Sequence, residues 1–302
     1  TLSDDAEYAE KTMVDYSSGE ITTAEAAELI RAVDEAFRTD EILFYPGISY
    51  RHCMIWHQGP VGLNLTPPHD ISDRKITEYL PQNPVILDLM KRSYEILKDH
   101  PINQDRMARG LNPANSIWLW GEGTRPGVTG FEAAYGVKAS VISAVDLIKG
   151  IGLCAGMKVI EVEGATGNID TNFKGKGEAA LKTLLDGQDL VYIHVEAPDE
   201  CGHHGDLEGK IQAIERIDQD IVGPLLKGLE EAGEDYSILV MPDHPTPISI
   251  KTHISDPIPY LLYCSTDVTD SGIDTYTEKT GKSTGVYVEP GYLLMQQLLK
   301  NK

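Results

Sequence analysis

Residues 190–206 read L-V-Y-I-H-V-E-A-P-D-E-C-G-H-H-G-D, and this stretch decides the fold. Val191, Ile193 and Val195 form a β-branched, apolar run with the pattern of a buried strand. The run breaks at Pro198, and Asp199 and His203 are expected in a glycine-bearing turn just past the strand. Two downstream pieces match it. Residues 236–244, Y-S-I-L-V-M-P-D-H, place Asp243 and His244 past a second apolar strand, and residues 251–260, K-T-H-I-S-D-P-I-P-Y, supply His253. Carboxylates and imidazoles delivered from loops after strands are the ligand set that hard-to-borderline divalent metals use. Three separate pieces agree on it, where a lone buried histidine would carry little weight.

The 302 residues suffice for one large or two ordinary domains. Composition is globular, 41% hydrophobic and 24% charged, with no apolar run long enough to span a membrane. The formal net charge of -21 argues against nucleic acid or an anionic membrane as partner. An anionic small substrate remains compatible where metals and local Arg or Lys reverse the sign. Cys53, Cys154, Cys201 and Cys264 are scattered without a C-x-x-C pair, which reads as reduced thiols and a cytoplasmic setting. The chain opens T-L-S-D-D, with neither a signal peptide nor an initiator Met, which suggests a processed or partial chain.

Along the chain, Thr22 and Glu25 make a capping box ahead of Ala26, Leu29, Ile30, Val33 and Phe37 at helical spacing. Residues 42–45 and 50–56 read as strands, and Asn83-Pro84 starts a helix running to about Lys98. Residues 110–130 read as a glycine-rich surface segment around a short apolar strand, matching neither a dinucleotide fingerprint nor a Walker loop. Strands at 137–142 and 157–162 flank a helix at 144–152, and the loop G-A-T-G-N-I-D-T-N follows. From about 176 come a helix to Leu185, the strand 189–195, a long helix at about 207–231, the strand 236–241, a strand near 258–263 and a final helix after Pro290. The class is α/β. Such alternation predicts parallel strands with right-handed crossovers, and ligands beyond their carboxyl ends, where Asp199 and Asp243 fall.

The stretches H-V-E-A-P-D-E-C-G-H, M-P-D-H, T-H-I-S-D-P-I-P, Y-R-H (50–52), P-P-H-D-I (67–71), A-N-S-I-W-L-W-G-E-G (114–123), S-A-V-D-L-I-K-G-I-G (143–152) and G-A-T-G (164–167) cover nearly the whole chain. By them the sequence resembles the cofactor-independent phosphoglycerate mutases, the archaeal-type branch within the alkaline phosphatase superfamily. The resemblance implies an alkaline-phosphatase-like core with a mainly parallel sheet, interrupted by an inserted α/β substrate domain. On that basis residues 1–170 are expected to handle substrate and 171–302 to be the C-terminal part of the core. It further implies a glycolytic and gluconeogenic isomerase that interconverts 3-phosphoglycerate and 2-phosphoglycerate through a phosphoenzyme. Two divalent ions (Mn, Zn, Mg or Co) and no 2,3-bisphosphoglycerate take part. By the resemblance Asp199, His203 and His253 hold one ion, and Asp243 and His244 part of the other.

The family's second ion also takes an aspartate and the phosphorylated serine from a first core segment, and Ser3, Ser17 and Ser18 stand in the wrong context for that role. The expectation is therefore a chain lacking roughly a hundred residues ahead of Thr1, without its nucleophile and inactive alone. An exposed sheet edge would then pair with a neighbouring chain and give a homo-oligomer. The alternatives are another metal-dependent phosphatase, phosphopentomutase or sulfatase of the superfamily, and a non-catalytic domain.

Glycerate and its carboxylate call for guanidinium and ammonium groups. Arg51 and Lys176 are the first candidates, with His52, His69, Asp70, Arg125 and Lys149 behind them, and Asp70 could deprotonate a hydroxyl. Each cation has a plainer reading as a surface ion pair. His204 reads as a solvent-side neighbour of the site, Cys201 as buried filler, His194 as a hydrogen-bonded mid-strand core residue, and Trp118 and Trp120 as core packing.

Overall fold

The computed structural model describes residues 1–5 and 7–300. The capping box at Thr22 opens helix α1, Thr23–Phe37: the Thr22 side chain accepts from the Glu25 N–H and donates to the Glu25 carboxylate. Its apolar stripe, Ala26, Leu29, Ile30, Val33 and Phe37, is buried against the hairpin of β1 (Ile42–Pro46) and β2 (His52–Trp56), which pair antiparallel with Pro46 opposite His52. Asn83 caps helix α2, Pro84–Leu97, and Pro84 fits the first turn because its missing N–H would have had no partner there. Helix α3, Pro101–Ala108, follows. Its Arg106 is buried, ion-paired to Glu25 at 2.7 Å and donating to the carbonyls of Ser18 and Asn112, which ties three loops to one side chain. No strand forms over residues 110–130. Trp118 is half-buried with its Nε1 donating to Thr66 O at 2.8 Å, but Trp120 is 46% exposed, so the core role expected for it fails.

These elements belong to the first of two packing units, Thr1–Pro126; the second is Gly127–Lys302. The division falls ahead of residue 170 because β3 (Ala139–Ile142) is the central strand of a sheet that needs both flanks. It pairs in parallel with β4 (Lys158–Val159) on one side and β5 (Leu190–Ile193) on the other. Helix α4 (Phe131–Tyr135) precedes β3, and α5 (Asp146–Cys154) and α6 (Phe173–Leu185) are the crossovers. Ile142, Phe173, Ala180, Ala197, Ala213, Ile221 and Leu225 make the core of this unit. Phe173 and Ile142 are fully buried, each stabilising the fold by about 1.5–3 kcal/mol.

Two expectations from the alternation pattern need correction. Strand β6 (Ser237–Val240) pairs antiparallel with β7 (Leu261–Cys264) in a separate two-stranded sheet. The connection between them, residues 241–260, carries no helix, and a parallel return requires a crossover of that kind. The long helix expected over 207–231 is also interrupted. Helix α8 (Leu207–Ile217) runs into a π-helical turn, Asp218–Val222, and resumes as α9 (Gly223–Ala232). Helix α6 packs directly on that turn, since a Cβ at Gly177 would stand 2.7 Å from the Asp220 carbonyl oxygen. After β7 come α10 (Glu278–Ser283) and α11 (Leu294–Leu298). Among the described residues no helix is long and apolar enough to cross a membrane.

Candidate metal centre

Pro198 does not end the ordered structure after β5; it starts helix α7, Ala197–His204, at a position where proline is tolerated. The expected glycine-bearing turn is therefore a helical face. Asp199 and His203 lie four residues apart on it and so point the same way, with His203 Nε2 3.3 Å from Asp199 Oδ2. Gly205 closes the helix at φ +73°, in the left-handed region that glycine adopts without strain.

The second arm is the loop after β6. His253 Nε2 lies 3.3 Å from Asp199 Oδ1 and 3.0 Å from His203 Nε2. His244 stacks on His253 with ring centroids 3.7 Å apart, its Nδ1 is 4.0 Å from Asp199 Oδ1, and its Nε2 is 3.4 Å from Asp243 Oδ2. Asp199, His203 and His253 each offer one ligand atom within 4.8 Å of the others. All five residues predicted as ligands thus stand in one neighbourhood, three converging on a point and Asp243 and His244 beside them. His204 is exposed and takes no part in the triad, and Cys201 is buried.

The approach of the two arms is set by a glycine. A Cβ at Gly202, between Asp199 and His203 on α7, would stand 2.7 Å from the Thr246 carbonyl oxygen and 2.9 Å from its Cγ2. Only a residue without a side chain lets the helix seat on the loop this closely. Lys210 Nζ donates to the same Thr246 carbonyl at 2.8 Å.

The donor set fits a divalent ion. His203 Nδ1 faces the Lys251 carbonyl oxygen at 3.0 Å, and a carbonyl only accepts, so the proton sits on Nδ1 and the Nε2 lone pair faces the triad. Separations of 3.0–3.3 Å between ligand atoms are those of groups sharing one ion at bond lengths of about 2.0–2.2 Å. Two imidazoles and a carboxylate suit zinc and manganese alike. His203 and His253 keep a third and a half of their side-chain surface open, so a substrate oxygen has room to approach.

Of the residues proposed to hold substrate, two share the unit of the triad. Lys176 is buried, its Nζ donating to the His194 carbonyl at 3.3 Å, and burial lowers its pKa to about 8 against the opposing pull of Glu196. Lys149 is ion-paired to Glu161 at 2.7 Å. His194, expected mid-strand, falls just past the end of β5, hydrogen-bonded through Nδ1 to the buried Ser143 hydroxyl at 3.2 Å. Burial lowers its pKa, partly offset by Asp243 and Asp199.

Arg51, His52, His69, Asp70 and Arg125 belong to the first unit. There His69 meets Tyr16 and Trp120 edge-on at 5.9 and 5.4 Å, Tyr16 meets Tyr50 at 5.5 Å, and the Arg51 guanidinium lies over the Tyr50 ring. Asp70 is 3.7 Å from His69. His52 Nδ1 accepts from the Gly47 N–H at 3.2 Å, and burial lowers its pKa to about 4. Arg125 sits in an exposed loop. Tyr16 and Thr246 escaped sequence reasoning, since contacts between distant loops leave no periodic signal.

Comparison with known proteins agrees with this geometry. Residues 67–286 match the family model described as the metalloenzyme superfamily, and residues 1–103 match that of 2,3-bisphosphoglycerate-independent phosphoglycerate mutase. A relative from Geobacter sulfurreducens, named a probable enzyme of that kind, is 49% identical over 95% of this chain and 72% of its own length. One from Methanosarcina barkeri, carrying the same enzyme name, is 48% identical over 95% of this chain and 73% of its own. A solved protein of Pyrococcus horikoshii superposes with a TM-score of 0.73 at 24% identity, over 96% of this chain and 73% of that one, which speaks to the fold alone.

Proposed function

The chain belongs to the metalloenzyme superfamily and, within it, to the 2,3-bisphosphoglycerate-independent phosphoglycerate mutases, and from that premise we propose that it interconverts 3-phosphoglycerate and 2-phosphoglycerate. The observation that carries this reading is the convergence of Asp199, His203 and His253, with Asp243 and His244 alongside, in a chain nearly half identical to enzymes of that name. Phosphoryl transfer asks a protein mainly to neutralise charge and hold the attack in line. Divalent ions supply that neutralisation when bound. We assign Asp199, His203 and His253 to one ion and Asp243 and His244 to a second, with manganese and zinc as the ions best matched to the donors and magnesium and cobalt as the other candidates.

The protein's own groups then orient. His203 is held in its ligating tautomer by the Lys251 carbonyl, and the two arms keep their separation through Gly202. Residues 1–170 are assigned to substrate handling, with Arg51 gripping the carboxylate bidentately and His52, His69, Asp70 and Arg125 around the glycerate hydroxyls. Lys176 and Lys149 are assigned to the phosphoryl side. The phosphoryl group rests on a serine during transfer. Among the described residues no serine hydrogen-bonds to the five ligands, so we assign that serine, and the second ion's remaining ligand, to a segment outside this sequence. The reaction belongs to glycolysis and gluconeogenesis in the cytoplasm.

The test is an assay with Mn²⁺ and 3-phosphoglycerate that reads 2-phosphoglycerate and inorganic phosphate separately, on this chain and on a version extended by a serine-bearing segment ahead of Thr1. Isomerisation by the extended protein, with little phosphate released and none of either by the chain alone, is the expected result. Phosphate without isomer would assign a hydrolase of the same superfamily instead.

A further inference from the structure

We propose that Thr246 is a positioning residue that couples the two ion sites through a single hydroxyl proton. The hydroxyl donates to Asp199 Oδ1 and lies 3.3 Å from His244 Nδ1. A threonine hydroxyl has one proton to give and lone pairs to receive. With that proton committed to Asp199, the contact to His244 is made by Nδ1–H donating to the threonine oxygen. The tautomer of His244 follows: Nδ1 carries the hydrogen, and the Nε2 lone pair is left facing Asp243 Oδ2, 3.4 Å away. One side chain therefore aims a carboxylate of the first ion's set and selects the ligating nitrogen of the second's.

The threonine is itself fixed. It is 4% exposed, its backbone packs on Gly202 of α7, and its carbonyl receives Lys210 Nζ at 2.8 Å. A hydroxyl on a mobile surface side chain could not impose a tautomer; this one sits between the two arms with both neighbours in place. Partners of metal ligands act in this way, orienting the ligand and settling which nitrogen is free.

The inference rests on the metal-centre reading, and its test separates the two. Two-dimensional ¹⁵N NMR of the metal-free full chain, at about pH 8.5 where an ordinary imidazole of pKa about 6.5 is neutral, reads the His244 tautomer directly. Protonation at Nδ1 is expected; protonation at Nε2 overturns the proposal whatever the variants do. Titration with Mn²⁺ follows on three proteins. Thr246→Val, which keeps the shape and removes the hydroxyl, is expected to bind about 10- to 100-fold more weakly and to lose the Nδ1–H preference, while Thr246→Ser keeps both. Equal affinity and an unchanged tautomer in Thr246→Val overturn the coupling, as does a Thr246→Ser protein that fails like the valine. A native chain that shows the tautomer but takes up no Mn²⁺ would sink the metal-centre reading and leave the hydroxyl geometry standing.

Discussion

The Nε2 atoms of His203 and His253 stand 3.0 Å apart. The first comes from a helix and the second from the loop after β6. Two imidazole nitrogens at this distance repel if both present lone pairs, so something positive must lie between them, a shared proton or a cation. Asp199, 3.3 Å from each, supplies the matching negative charge.

His253→Ala should therefore abolish tight binding of one equivalent of Mn²⁺ or Zn²⁺ by the chain. Counting bound ions after dialysis checks it. Undiminished binding in the variant would remove His253 from the ligand set. Two tight equivalents on the unaltered chain would mean the second site is complete here, and the assignment of its remaining ligand elsewhere would have to go.

Gly202→Ala should cost about 1–3 kcal/mol, the usual range for overpacking a close contact. The new methyl would press on the Thr246 backbone, which cannot swing aside as a long side chain can. Urea unfolding reads the loss, and metal affinity should fall with it because the two arms are pushed apart. A variant of native stability would show that the loop yields freely.

The pattern of apolar runs was sufficient to read β3, β5 and their crossover helices, because strands buried on both faces and the helices between them differ in length and period. It was also sufficient to find the five ligands, since each follows an apolar run. Strand direction is not written in periodicity, so the antiparallel return of β7 had to come from the structure. Pro198 signalled a break and proved to be a helix start, two roles that one residue type serves equally. Trp120 looked like core by alternation with Leu119, yet its partner is His69 on a distant turn. Thr246 gave no signal at all, because its importance lies in what packs on it.

Stability should show an acid limb from His52. Burial lowers its pKa to about 4, and its Nδ1 accepts a backbone N–H, which a protonated ring cannot do. Unfolded, the same group takes up a proton near its ordinary pKa of about 6.5. The unfolded state therefore binds more protons between about pH 6.5 and 4, and the contribution is full above 6.5 and lost as pH falls through that window. Replacing His52 by Gln should flatten that part of a urea-unfolding profile; an identical slope in both proteins would contradict the assignment.

Lys176 should do the same at the alkaline end. Its pKa of about 8, lowered by burial from an ordinary 10.5, leaves the folded state with fewer bound protons than the unfolded state between those values. Stability of the native protein relative to Lys176→Met should rise from pH 8 to 10.5. Thermal unfolding of the pair across that range measures it, and a gap that stays constant or narrows in the other direction would mean the ammonium is better solvated than its burial implies.

The π-helical turn at Asp218–Val222 has a consequence for how this helix can change. Such a turn holds one residue more than an α-helix would place there. Everything beyond it is phased by that surplus residue, including Leu225 and Leu229, which are buried. Deleting one residue from the turn would restore a regular helix and rotate α9 by about 100° about its axis, swinging both leucines off the core while leaving every one of their neighbours in the sequence unchanged. Gly177, pressed against Asp220, would at the same stroke face a void. Substitution in this segment is therefore a local event, whereas a change of length by one residue is felt over the whole of α9.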